Sequence, residues 1–323
     1  MAELFDKTSI KSLELKNRLV RSATHEGMSN EDGSPTPALF KYYKRLAKGG
    51  VGLIVTGYAY VSKDGISPFY RQAAIDRDEL VDKYRDLVDH VHDNGAKIAM
   101  QIVHCGRETV EAAIGTQPIA PSAVFNNAYQ VMPREMTEED IERIIGDFAQ
   151  GARRVKEAGF DAVQIHSAHG YLLSSFISPY TNRRTDQWGG NTENRLRIVR
   201  EVYNRCRTQV GEDYPMLVKY SSYDLMENGL SPEEGVTVGR MMADMGFDSI
   251  EISAGIFEDG GSTLFGNTPP PNRPPQAYHR HQAKALKSKV DVPILLVGAL
   301  PTQRSWKRSW KAGTPTISPC AAP

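Results

Sequence analysis

Short apolar runs alternate with longer amphipathic stretches along most of this 323-residue chain. The apolar runs fall at 18–23, 52–56, 97–102, 162–165, 216–220, 249–253 and 292–297. The clearest helical patterns lie between them, at 77–94, 138–158, 193–210 and 232–245. Strands that keep returning through a helix lie parallel, so the class is α/β, with the sheet either open or closed into a barrel. A (β/α)8 TIM barrel needs eight such units and typically about 250 residues, with extra length going into loops. Seven units or parts of them are visible here. The excursions 105–136 and 254–277, the second rich in Gly and Pro, take up the surplus as loops over one end.

Start and stop signals agree with this division. Thr137 precedes Asp140 by three residues, a near capping box, and Ser231-Pro232 places proline at a first helical position. Asn94-Gly95, Ala158-Gly159 and Met245-Gly246 supply glycine where helices should stop.

Composition narrows the partners. Lys+Arg and Asp+Glu both number 39, so the formal charge is zero and no basic face invites nucleic acid. No apolar run approaches the roughly 18–20 residues a membrane span needs. The opening MAELFDKTSIKSLELKNRL has no signal-peptide core. Cys105, Cys206 and Cys320 are too scattered for a disulfide framework or a cysteine-ligated metal. The expectation is a cytoplasmic protein with no metal, no nucleic-acid or membrane partner, and self-association left open.

In a barrel, chemistry sits at the C-terminal strand ends. Here those ends are polar: Ser22-Ala23-Thr24-His25, Thr56-Gly57, Gln101, His166 and Lys219. Singly, each has an ordinary structural reading, since a strand-end lysine snorkels and a lone histidine is more often structural. Five successive strands offering a polar group at one end indicate a site. The spacing His166-x-x-His169-x-Tyr171 adds two imidazoles able to grip one substrate oxygen and a phenol able to supply a proton.

These residues sit in a wider set of motifs: Asn17-Arg18-Leu19-Val20-Arg21-Ser22-Ala23-Thr24, then Gln101-x-x-His104-x-Gly106-Arg107, then His166-x-x-His169-Gly170-Tyr171-Leu172. Phe176-x-Ser178-Pro179, Asn182-x-Arg184, Trp188-Gly189-Gly190 and Glu193-Asn194-Arg195 follow. From about Lys7 to Gly298 the chain resembles the old yellow enzyme family of FMN-dependent NAD(P)H oxidoreductases. The Arg-Ser-Ala-Thr start is closest to the enoate and dienoyl reductase branch.

The resemblance implies FMN as cofactor, NADH or NADPH as reductant, and a small α,β-unsaturated substrate such as an enone or enoate. Ala23, Thr24 and Gly57 would line the flavin edge, with His25 and Gly298 in the same cofactor-binding set. Gln101 offers a donor and an acceptor to the flavin pyrimidine. Lys219 would put positive charge near N1 and O2, where many relatives carry arginine. His166 and His169 would hold the substrate carbonyl, and Tyr171 would protonate the α-carbon. Asn182, Arg184, Trp188 and the residues that follow would shape the loop after strand four. No iron–sulfur centre is expected in this chain.

Residues 301–323, PTQRSWKRSWKAGTPTISPCAAP, break the pattern. They show no strand, no amphipathic helix and no glycine–arginine phosphate site. The eighth βα unit is therefore expected to be missing or scrambled, with 1–300 an FMN-binding barrel and 301–323 an aberrant tail. Back-translated with codons chosen to follow the family pattern and read two bases on, 303–323 gives EVMEEVLEGGNADYISLCRP. That string is an acidic amphipathic helix, a glycine, a strand and Arg-Pro, so a shift of reading frame is placed between about Gly298 and Gln303. Two further readings stand beside the reductase: a truncated barrel without a phosphate anchor, catalytically impaired, and a flavin-free barrel enzyme such as an isomerase.

Overall fold

The computed structural model describes residues 3–259, 277, 279–298 and 316–317. Eight parallel strands form one sheet in sequence order: β1 Val20–Arg21, β2 Leu53–Val55, β3 Lys97–Val103, β4 Ala162–Ser167, β5 Met216–Ser221, β6 Ser249–Ser253, β7 Ile294–Leu296 and β8 Thr316–Ile317. Each strand pairs with the next, through registers such as Gln164 beside Gln101, His166 beside Lys219 and Lys219 beside Glu251. The sheet curls into a nearly closed TIM barrel.

Contrary to the expectation of a strand-free tail, Thr316 and Ile317 pair with Leu295 and Leu296 as β8. Two residues of ladder suffice because β7 offers an open edge, and an unpaired edge recruits whatever extended chain reaches it. The rest of 301–323 lies outside the described residues, as do 260–276 of the long excursion 254–277.

Helices cover the outer face: α1 Pro37–Lys48, α2 Leu80–His92, α3 Glu138–Glu157, α4 Arg197–Val210, α5 Pro232–Met245 and α6 Arg280–Lys287. The capping box of α3 is complete, with the Thr137 hydroxyl accepting from Asp140 N and the Asp140 carboxylate accepting from Thr137 N. Helix α3 buries Ile141, Ile144, Ile145, Phe148, Ala152 and Val155, the three- and four-residue spacing of one apolar stripe. Helix α2 starts later than position 77 because Arg77 and Asp78 are engaged in ion pairs with Asp32, Asp76, Arg153 and Arg154. The 193–210 pattern is split at Leu196 into a short turn, Thr192–Arg195, and α4.

Inside the barrel, every second strand residue points inward, so the interior is layered. The lowest layer is apolar: Val20, Leu53, Val55, Ala99, Ala162, Leu217 and Leu295, plugged by Ile10, Leu13 and Leu15 of the hairpin Thr8–Ile10/Leu13–Leu15. Two residues further along the strands come Gln101, Gln164, Lys219 and Glu251, all buried. Above them, Tyr58, Val103, Cys105, Tyr171 and Phe257 form an aromatic mouth. Along β3 alternation therefore carries the interior from apolar Ala99 through polar Gln101 to Val103 of the aromatic mouth. Among the described residues, no helix is long and apolar enough to cross a membrane.

Candidate active site

The chain turns sharply after β4. His169 has φ 65° and Gly170 φ 80°, two successive left-handed residues. Glycine costs nothing there, but a histidine does, and such strain persists where the surroundings dictate it. A Cβ at Gly170 would sit 2.7 Å from Glu108 Oε1, so the close approach also needs glycine. His169 N donates to Ser221 Oγ at 2.9 Å, which ties the turn to the end of β5.

The turn gathers the three residues. The His166 and His169 rings lie edge to face with centroids 5.2 Å apart, and His166 and Tyr171 at 4.8 Å. His166 Nδ1 accepts from Ala168 N at 3.2 Å, so its proton sits on Nε2. His169 Nε2 meets Ser253 Oγ at 2.6 Å. Burial holds the pKa of each imidazole well below the usual histidine range, and the Lys219 ammonium adds to the effect. Burial, reinforced by the Tyr58 phenol, pushes Tyr171 well above the usual tyrosine value. The site thus presents two neutral imidazoles and a protonated phenol.

Beneath this trio the polar layer forms a continuous string. Gln101 Nε2 donates to Gln164 Oε1 at 2.7 Å, and Gln164 Nε2 donates to Glu251 Oε2 at 3.0 Å. Glu251 Oε1 accepts from Ser22 Oγ at 2.5 Å and lies 3.1 Å from Lys219 Nζ. Gln101 and Lys219 of the sequence reading are therefore joined through two residues it did not single out. The available signal was their position: Gln164 and Glu251 interrupt otherwise apolar strands at the inward-facing alternate places.

The remaining expected residues follow the ends of β1, β2 and β7. Ala23 and His25 are half-buried, Thr24 is exposed, and Gly298 is buried at the end of β7 with φ 109°. His25 stacks on Tyr58 with centroids 5.3 Å apart, and its Nε2 meets Tyr70 O at 3.0 Å. The amide of Gly57 is already engaged, donating to Glu26 Oε1 at 3.1 Å. A Cβ there would fall 2.0 Å from Glu26 Oε2, so the glycine makes room for the buried Arg21–Glu26 pair.

Two features went unread in the sequence. Tyr58 packs against Tyr171 at 5.5 Å and His166 at 6.1 Å. Arg107, fully buried, donates to Glu258 Oε2 at 2.6 Å and to the carbonyls of Val124 and Phe125. Glu258 also accepts from Asn127 N at 2.9 Å, so one guanidinium bolts the 105–136 and 254–277 loops together at the mouth. Among the described residues, no three His, Cys, Asp or Glu side chains are placed to hold a metal.

The donor set suits a flavin ring. An isoalloxazine edge alternates carbonyl and N–H groups and gains negative charge on reduction, and here a buried amide and a buried ammonium share one layer below a trio that can hold a carbonyl. Gln101, at 1 % exposure, retains an amide carbonyl and one N–H with no hydrogen-bond partner among the described residues.

Comparisons with known proteins agree with this chemistry. Residues 3–314 match the NADH:flavin oxidoreductase / NADH oxidase family model. The chain is 38 % identical over 298 residues to an NADH oxidase of Thermoanaerobacter brockii, covering 92 % of this chain and 45 % of that protein. It is 36 % identical over 257 residues to an NADPH dehydrogenase of Listeria welshimeri, covering 79 % of this chain and 74 % of that one. It thus spans less than half the NADH oxidase, though most of the shorter dehydrogenase. A solved 2-naphthoyl-CoA reductase superposes with a TM-score of 0.89 at 27 % identity, over 98 % of this chain and 49 % of that one. The old yellow enzyme homologue of Zymomonas mobilis gives 0.84 at 26 % identity, over 98 % and 88 %. The chain belongs to the NADH:flavin oxidoreductase / NADH oxidase family, the FMN-dependent family of the old yellow enzymes.

Proposed function

We propose that this chain reduces an activated C=C bond, in an enone or enoate, with FMN as the bound cofactor and NAD(P)H as reductant. The observation that carries the reading is the vertical order of the barrel interior: the His166–His169–Tyr171 trio directly above the buried Gln101–Gln164–Glu251–Lys219 string. When bound, the cofactor supplies the hydride chemistry, taking two electrons from NAD(P)H and delivering them to the β-carbon of the substrate.

Everything else belongs to the protein. Gln101 and Lys219 hold the polar end of the ring, with Ala23, Thr24, His25 and Gly57 around its edge and Gly298 at the phosphate side. His166 donates from Nε2 to the substrate carbonyl oxygen, and His169 makes the second contact. Being neutral, the imidazoles bind the oxygen by hydrogen bonding and strengthen as negative charge gathers there, an effect of about 3–4 kcal/mol per donor in comparable oxyanion sites. Tyr171, kept protonated by its apolar surroundings, gives its proton to the α-carbon. The aromatic mouth of Tyr58, Tyr129 and Phe257 excludes water and stacks on a flat, conjugated substrate.

The test is reconstitution. Purified protein incubated with FMN is expected to show bound flavin absorbance, to bleach with NADH or NADPH in the absence of oxygen, and to recover colour with 2-cyclohexenone. Protein that binds no FMN would overturn the reading in favour of an impaired or a flavin-free barrel. One observation favours the impaired-barrel alternative: among the described residues β8 has two residues and does not pair with β1. Binding of FMN no tighter than riboflavin would identify that case, because the phosphate would then contribute nothing.

A further inference from the structure

Glu251 is fully buried in the middle of β6, beside Lys219 in register. A buried carboxylate needs a reason, since the desolvation cost of a charge in the interior is several kcal/mol before any pairing. Its contacts give one. An ionised carboxylate can only accept hydrogen bonds. Gln164 must therefore turn its NH2 toward Glu251 Oε2, which leaves Gln164 Oε1 facing Gln101. Gln101 in turn must point its NH2 at Gln164, so its carbonyl and its second N–H are the groups left for a ligand. The direction of one amide is fixed by a charge two residues away along the string. Glu251 also shares the Lys219 ammonium, directly at 3.1 Å and through Ser22, which donates to Glu251 and lies 3.3 Å from Lys219 Nζ.

We propose that Glu251 is a positioning residue for the flavin ring, fixing the orientation of the Gln101 amide through Gln164 and withholding part of the Lys219 charge from the reduced ring. This rests on the FMN reading above. In an interior that water does not screen, a full negative charge beside the ammonium lowers the pull that Lys219 exerts on an electron-rich ring. The two effects separate cleanly. Orientation affects both redox states of the flavin alike, whereas charge affects the reduced state more.

Two variants read the two effects. Glu251→Gln keeps the shape and removes the charge. It is expected to raise the ratio of affinities for reduced over oxidised FMN about tenfold, which is a positive shift of about 30 mV for a two-electron couple. Gln164→Met breaks the string and leaves the charge pair. It is expected to weaken both redox states about tenfold, the worth of one hydrogen bond, with the midpoint potential unmoved. Measurements are FMN titrations of each protein and the midpoint potential of the reconstituted holoprotein.

An unchanged potential in Glu251→Gln overturns the charge role, and unchanged affinity in Gln164→Met overturns the orientation role. Should Glu251→Gln fail to fold, a Gln164→Met protein whose potential moves by the same tens of millivolts also overturns the division. A wild-type protein that binds no FMN removes the reading underneath, and this inference with it. A wild-type protein that binds FMN while both variants behave like it removes this inference alone.

Discussion

The ring of His166 meets that of Tyr171 edge to face, with centroids 4.8 Å apart and planes 86° from each other. In the proposed reaction this geometry would bring a hydrogen-bond donor for the substrate oxygen and a proton donor for its α-carbon into one small volume. Tyr171→Phe keeps the packing against Tyr58 and Phe257 and deletes one hydroxyl. Enone reduction is expected to fall roughly 10²–10⁴-fold, the range of a positioned general acid. Flavin bleaching by NAD(P)H should keep its rate. Stopped-flow measurement of the two half-reactions separates them, and equal losses in both would remove Tyr171 as the proton donor.

His166 and His169 are expected to stay neutral as pH falls through about 6.5, where an ordinary histidine gains its charge. Their folded pKa values are lowered by burial and by Lys219, so the folded protein binds fewer protons than the unfolded chain. Stability linked to these two groups is present above the unfolded value near 6.5 and is lost as pH falls below it. Nitrogen-15 spectra of labelled histidine should show His166 with the proton on Nε2 across this range. A midpoint near 6.5 for either ring would show that the site is wetter than the packing implies.

Glu108 should reveal itself in the opposite direction. It is fully buried, and burial pushes its carboxyl up to about 8 against the pull of Arg107. The folded state therefore holds a proton that the unfolded chain releases near 4.5. The associated stability is complete below that lower value and is lost as pH rises through about 8, with a slope of at most about 1.4 kcal/mol per pH unit. Urea unfolding of wild type and Glu108→Gln across this window should give a steeper decline in wild type. Parallel curves would show that Glu108 is ionised in the folded protein.

The barrel was legible because its signals are local and repeated. Apolar runs mark seven strands and glycine stops close three of the helices, and the His166-x-x-His169-x-Tyr171 spacing follows directly from one strand end. The polar string was half legible. Gln101 and Lys219 were found at strand ends, but Gln164 and Glu251 gain their meaning only when strands lie side by side, and register is not written in any one strand. Strand β8 was missed because two residues of ladder leave no alternation to read. Arg107 was seen only as part of a motif, since its partner Glu258 lies 151 positions away. Helix α1 was passed over, although Thr36 caps it and Pro37 opens it.

That long-range pair supports the last prediction. Arg107 lies beside Glu108 at 3.4 Å and Glu258 at 2.6 Å, and spans to two carbonyls of the 105–136 excursion. Arg107→Ala would strand Glu258 without its cation and leave the Val124 and Phe125 carbonyls unpaired. Breaking a buried pair by removing one partner costs about 3–5 kcal/mol. Lysine keeps the charge but cannot present a planar fork to a carboxylate and two carbonyls at once, so Arg107→Lys should recover only part of that loss. Because Phe257 adjoins Glu258 and packs on Tyr171 at 5.8 Å, loosening the bolt should disturb the proposed substrate face more than the Gln101–Gln164–Glu251–Lys219 string below. The expected kinetic signature in Arg107→Lys is a raised KM for the enone with a smaller change in the rate of flavin reduction. Urea unfolding and half-reaction kinetics measure the two effects, and an Arg107→Ala protein within about 1 kcal/mol of wild type would show that the two loops are held by other contacts.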